Sequence, residues 1–171
     1  SCRVRHWPAS HWQIDSQFPR FLPLPRCLSR HSQLGDSIMT AIVLAPFAPA
    51  PVHFTDLGRL RLQECERVQA LRTELSHCGA RVREEGDTLR IVPSPLHGAE
   101  IETYQDHRMA MCFAILGLKT PGIKIKNPAC VKKTFPNFFQ KLAAPPPDGL
   151  GVTILDPTTR RALHLDELFA D

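Results

Sequence analysis

The chain has 171 residues, 43% of them apolar, and a formal net charge of +4. That length supports one domain with its own core, and no apolar run approaches the roughly 18 residues of a membrane span. The charge points to nucleic acid only until it is located. Residues 1–35 hold five arginines and one acid, and the rest balances at 16 basic and 16 acidic groups, so the body carries no global basic field. The N-terminus is basic but lacks the apolar stretch of a secretory signal. The six cysteines are scattered with no Cys-x-x-Cys pair, and the eight histidines show no metal-ligand spacing. They are read as free thiols of a cytoplasmic protein, and no zinc site is expected.

Residues 1–33 form an atypical basic segment rich in proline and arginine, with at best one short strand near Trp12–Ile14 and otherwise loop or disorder. From Asp36 the pattern sharpens. Asp36 is expected to cap an apolar helix reaching Phe47, where Pro46 and Pro49 end it. Val52–Thr55 reads as a strand. Glu64–Cys78 reads as an amphipathic helix with Val68, Leu71, Leu75 and Cys78 on one face, stopped by Gly79. Two strands follow, Ala80–Arg83 and Thr88–Val92, joined by a turn at Glu85-Gly86-Asp87.

A strand near Ala99–Glu102 then leads to a helix from Asp106 to Leu118, apolar or small at every position after Arg108. A helix that is apolar all round is buried. A strand at Ile123–Lys126 precedes a helix carrying Phe135, Phe138, Phe139 and Leu142, expected to be capped by Thr134 with Pro136 in its first turn. Asp36 and Asp106, Met39 and Met109, and Pro51 and Pro121 share one constant offset, 70 positions along the chain. This predicts an α+β fold built from two copies of a βαβαββ unit. The body spans 34–143; after it comes a proline-rich linker, and Gly151–Leu155 with Ala162–Leu165 would supply the second copy's closing hairpin, within 144–171.

Polar residues gather at four expected helix starts. They are Gly35–Thr40, Arg59–Arg67, Asp106-His107-Arg108 and Val131–Pro136. Taken singly, Asp36 is a helix cap, Glu64 and Arg67 (three apart on one face) are a solvated ion pair, and Lys133 is surface charge. Asp106-His107-Arg108 is different, because the helix behind it is buried and its free N–H groups and dipole favour an anion. In a repeat fold equivalent helix ends point the same way. The carboxylates Asp36 and Glu64 beside Arg67, Arg108 and Lys133 would then suit proton transfer on a small polyanion.

Glu102 to Met111, with Gly35–Thr40, Arg61–Arg67 and Val131–Pro136, closely resemble the C-terminal domain of the 5-enolpyruvylshikimate-3-phosphate (EPSP) synthases. The resemblance runs from Leu34 to Leu142 and implies the enolpyruvyl transferase fold. It implies an enzyme, a 3-phosphoshikimate 1-carboxyvinyltransferase of aromatic amino-acid biosynthesis, moving the enolpyruvyl group of phosphoenolpyruvate to the 5-hydroxyl of shikimate 3-phosphate. No metal or organic cofactor is needed. By the same resemblance Asp36 accepts the hydroxyl proton and Glu64 protonates the methylene carbon. Arg67, His107, Arg108 and Lys133 hold phosphoenolpyruvate, Asp36 and Gln63 face shikimate 3-phosphate, and glyphosate would occupy the cationic pocket. Gln63 stands where many members carry lysine, and Arg59 where asparagine is common.

The N-terminal domain's signatures, a Lys-Ser pair and an Asn-Ala-Gly-Thr-like loop, are absent, so the chain is expected to be a fragment, inactive without a partner half. Three other readings compete. A UDP-N-acetylglucosamine enolpyruvyl transferase shares the chemistry but differs at Asp106–Met111. A truncated or split product would be a folded module without catalysis. A nucleic-acid binder of the RNA-cyclase branch rests only on the charge of the first residues.

Overall fold

The computed structural model describes residues 24–170. The expected strand near Trp12–Ile14 lies outside them. The elements are β1 (Cys27–Ser29), α1 (Ile38–Leu44), β2 (Val52–Thr55), α2 (Arg67–His77), β3 (Arg81–Glu85), β4 (Thr88–Val92), β5 (Glu100–Ile101), α3 (His107–Gly117), β6 (Lys124–Ile125) and α4 (Phe138–Ala143). This is a mixed α/β architecture.

Four strands form one sheet in the order β1-β2-β4-β3, with β1 parallel to β2 and the other neighbours antiparallel. Val52 and Phe54 alternate with exposed His53, and Leu89 and Ile91 are fully buried, so one face of the sheet is apolar and needs a cover. The helices supply it. Ile38, Met39, Ile42 and Val43 of α1 and Val68, Leu71 and Leu75 of α2 join these residues in one core. α3 extends the core with Met109, Cys112, Phe113 and Leu116, and turns Ala110 toward a second cluster with Val131, Phe139 and Leu142. Its burial follows from its all-round apolar sequence, as expected.

β5 and β6 form a separate parallel pair, Glu100 opposite Lys124 and Ile101 opposite Ile125. The loops leading into them cross at two glycines: a Cβ on Gly98 would lie 2.5 Å from the Gly122 backbone. Both halves of the chain thus run strand, helix, parallel strand, helix. The tail hairpin is rudimentary, one antiparallel bridge between Leu155 and Ala162 supported by Leu163 N–H to Ile154 C=O at 2.8 Å.

Four local expectations need correction. Within the segment read as loop, Cys27–Ser29 is a strand; three residues are too short for periodicity, and only pairing with β2 makes them one. Asp36 does not cap α1. It lies inside a 3₁₀ turn, Gly35–Ser37, and Ser37 precedes the helix without a side-chain bond. Glu64 is not in α2, which starts three residues later, where Glu66 accepts the Gln69 N–H at 2.5 Å. Glu64 and Arg67 therefore share no helix face. Thr134 ends a 3₁₀ turn, Pro128–Lys133, rather than capping α4, and Asn137 takes the N-cap position; Phe135 is consequently 40% exposed.

Candidate functional site

α3 begins as its sequence predicts. Asp106 is extended, and its Oδ1 accepts the Arg108 N–H at 2.8 Å, filling one of the free donors of the first turn. The approach to it is unusual, because Tyr104 and Gln105 both have left-handed backbones, φ 53° and 56°. Such conformations are costly for residues with a Cβ and persist only where the surroundings hold them. Here buried Glu74 of α2 does so, accepting the Tyr104 hydroxyl at 2.8 Å and the Glu102 N–H at 3.2 Å.

Asp106 is fully buried, and its partner is the equally buried Arg67 at the start of α2. Arg67 Nε donates to Oδ2 at 2.5 Å and Nη2 to Oδ1 at 3.1 Å, a two-bonded fork joining two helix starts. The remaining edge of the guanidinium hydrogen-bonds Gln63 through Nη1 and lies 3.9 Å from Asp36. Gln63 in turn donates to Asp36 Oδ2 at 3.2 Å. Arg108 reaches the same oxygen at 3.7 Å, close enough for charge attraction but beyond a hydrogen bond, and its side chain stays 39% exposed. Asp36 Oδ1 is taken by Arg30, through Nη2 at 2.6 Å and Nε at 3.1 Å.

Asp36, Gln63, Arg67 and Arg108, drawn from three separate stretches of chain, thus meet around one carboxylate. Glu64 and Lys133 meet beside them, Nζ to Oε1 at 2.5 Å, with both side chains solvent-accessible. Asp106 and His107 lie near enough for their charges to act on Glu64. His107 is buried, its Nδ1 3.9 Å from Asp106.

The electrostatics follow from these contacts. Burial opposes ionisation of Asp36, but the hydrogen bonds from Arg30 and Gln63 and the charges of Arg30 and Arg108 outweigh it and hold the carboxyl below its ordinary range. At Asp106 burial is likewise overcome, here by the Arg67 hydrogen bond and the Arg108 N–H. Glu64 is lowered chiefly by the hydrogen bond and charge of Lys133. Burial lowers His107, favouring its neutral form. Burial also pushes the Cys65 thiol, 3.5 Å from Asp106, up to about 12, so it is no nucleophile.

Among the described residues no group of three or more His, Cys, Asp or Glu side chains is placed to hold a metal ion, and no helix is long and apolar enough to cross a membrane. The described cysteines are free. Arg61 points away from the cluster, ion-paired with Glu66, Glu84 and Asp87 across an open hollow on the α2–β3 side. Arg30 is the residue that sequence reading missed. It stood in the basic N-terminal count, six positions before its partner, and no helix or strand period links the two.

The family model of EPSP synthase (3-phosphoshikimate 1-carboxyvinyltransferase) matches residues 30–142, more than half of the chain. The chain belongs to the EPSP synthase family. It is 46% identical over 110 residues to the 3-phosphoshikimate 1-carboxyvinyltransferase of Nostoc punctiforme, covering 64% of this chain and 26% of that protein. To the Rhizobium leguminosarum enzyme of the same name it is 44% identical over 143 residues, covering 80% of this chain and 33% of the relative. The EPSP synthase structure from Acinetobacter baumannii superposes with a TM-score of 0.60 at 28% identity, covering 72% of this chain and 29% of that one. The chain thus spans between a quarter and a third of the length of these relatives. Every residue of the Asp36 cluster, Arg30 included, lies within the matched span of the EPSP synthase model.

Proposed function

We propose that this chain supplies the phosphoenolpyruvate side of an EPSP synthase active site, corresponding to part of that enzyme's C-terminal domain. We also read its two strand–helix–strand–helix runs as two copies of one βαβαββ unit. The observation that carries the functional reading is the Asp36 carboxylate, with Gln63 at 3.2 Å, Arg108 at 3.7 Å and Arg67 at 3.9 Å. A carboxylate held ionised among fixed cations is a base beside an anion site.

Each residue then has a role. Asp36, kept charged by its neighbours, accepts the proton of the attacking 5-hydroxyl of shikimate 3-phosphate, and Gln63 orients both. Arg108, half-exposed, offers its fork to a carboxylate or phosphate of phosphoenolpyruvate. Lys133 offers a point charge from beside Glu64. Arg67 is buried, with one edge committed to Asp106, so a ligand meets only the edge facing Gln63 and Asp36. His107, buried with its Nδ1 3.9 Å from Asp106, serves the same pocket as a hydrogen-bonding group. Glu64 protonates the methylene carbon, and loss of phosphate completes the transfer. Turnover requires the remaining two thirds of the enzyme's length, because proximity and exclusion of water come from closure of the cleft. We place this chemistry in the shikimate pathway and assign it to the cytoplasm.

The test is direct. In isotope-labelled chain, phosphoenolpyruvate is expected to shift the side-chain resonances of Arg108 and Lys133, and Arg108→Met to weaken binding at least tenfold. Shifts confined to Arg81 and Arg83, the exposed arginines of β3, would refute the site. Release of phosphate from phosphoenolpyruvate and shikimate 3-phosphate by the chain alone would refute the need for the rest of the enzyme.

A further inference from the structure

The Glu64–Lys133 pair poses a chemical problem. A group that protonates carbon must carry a proton, yet Glu64 sits 2.5 Å from the Lys133 ammonium, an arrangement that keeps it ionised. Lys133 has the mirror-image difficulty: a cation meant for a ligand already holds an internal carboxylate. The same holds, more loosely, for Arg108 and Asp36 at 3.7 Å. Both difficulties have one resolution.

We propose that an anionic ligand displaces Glu64 from Lys133, and that Glu64 then takes up a proton from solvent, so that ligand binding itself loads the acid. This inference rests on the site reading above and deepens it. The geometry favours displacement at Lys133 rather than at Arg67. The Glu64–Lys133 pair has side chains 37% and 59% exposed, whereas Asp106 and Arg67 are buried and doubly bonded. A pair open to water exchanges partners at little cost, and a buried one does not. Lys133 lies at the end of a 3₁₀ turn and Glu64 in the irregular stretch before α2, so either side chain can turn without disturbing a helix.

The charges around Glu64 set the direction. Lys133 faces it from the 3₁₀ turn, and Asp106 and His107 face it from the head of α3. With Lys133 drawn to a ligand phosphate, the groups left are the Asp106 carboxylate, itself bonded to Arg67, the His107 imidazole and the new anion. Loss of the bonded ammonium and arrival of an anion both favour the protonated carboxyl. The proton adds to a Glu64 oxygen and no other bond changes. An acid prepared in this way carries its proton only when the carbon to be protonated is present.

Inorganic sulfate is the probe, since its charge is constant above about pH 3 and it brings no titration of its own. The Glu64 carboxyl is followed by carbon NMR from pH 3 to 7, at fixed ionic strength, with chloride or with saturating sulfate. Sulfate is expected to raise the Glu64 midpoint above the ordinary glutamate value of about 4.3. Glu64→Gln, which removes the internal competitor, is expected to bind sulfate about two- to fivefold more tightly, the range set by an exposed ion pair. Lys133→Gln should raise the Glu64 midpoint without sulfate and abolish its response. If sulfate shifts Arg108 and Lys133 while the Glu64 midpoint stays put and Glu64→Gln binds no more tightly, the coupling is wrong and the site stands. If sulfate shifts neither cation, both the coupling and the site reading fall.

Discussion

The bond between Asp106 and Arg67 ties the start of α3 to the start of α2, and it can be broken from either end. Asp106 accepts two hydrogen bonds from Arg67, at 2.5 and 3.1 Å, and the Arg108 N–H at 2.8 Å. Asp106→Ala leaves the Arg67 charge buried without its partner, which costs about 3–5 kcal/mol, and removes a helix cap that contributes about 1 kcal/mol. These effects share atoms and do not add fully, so the expected loss is about 4 kcal/mol, a large part of a domain's roughly 5–15 kcal/mol. Arg67→Met leaves Asp106 charged and buried and should cost about 3 kcal/mol. The double variant Arg67→Met/Asp106→Leu keeps no buried charge. It should lose only about 1–2 kcal/mol, chiefly the cap, and so be more stable than either single change. Urea unfolding followed by circular dichroism decides this. With a slope of about 2 kcal/mol per molar, Asp106→Ala moves the midpoint down by about 2 M. A loss below about 1.5 kcal/mol, or a double variant as unstable as the sum of the singles, would refute the reasoning.

Three further expectations follow from single sites. The folded pKa of Asp36 lies below its unfolded value of about 3.9, so its stabilisation is complete above that pH and is lost as pH falls through the lowered value; the urea midpoint of Asp36→Asn should therefore fall less between pH 5 and about 2.5 than that of the parent. Gly98→Ala would set a Cβ 2.5 Å from the Gly122 backbone, which cannot swing aside, and should cost about 1–3 kcal/mol, read as a lowered melting temperature. Leu62 is 86% exposed, and Leu62→Ser should change stability by less than about 0.5 kcal/mol in the same urea assay.

The amino-acid sequence by itself determined the features that depend on near neighbours. The cap of Asp106 on α3, the burial of that helix, the inward face of α2 at Val68, Leu71 and Leu75, and the turn at Gly86 between β3 and β4 all follow from spacing within one element. Its family motifs also marked Asp36, Gln63, Arg67 and Arg108, which the structure brings into contact. Where a helix starts was less legible, because Glu64 and Glu66 are equally good acids and only one can cap; folding chose Glu66 and left Glu64 free to reach Lys133. Only the tertiary structure decided the pairs themselves. Arg67 and Asp106 are 39 residues apart, Lys133 and Glu64 are 69, and no local period records which cation meets which carboxylate. β1 and Arg30 belong to the same class. A three-residue strand exists because β2 lies beside it, and Arg30 matters because the turn that follows β1 brings it back onto Asp36.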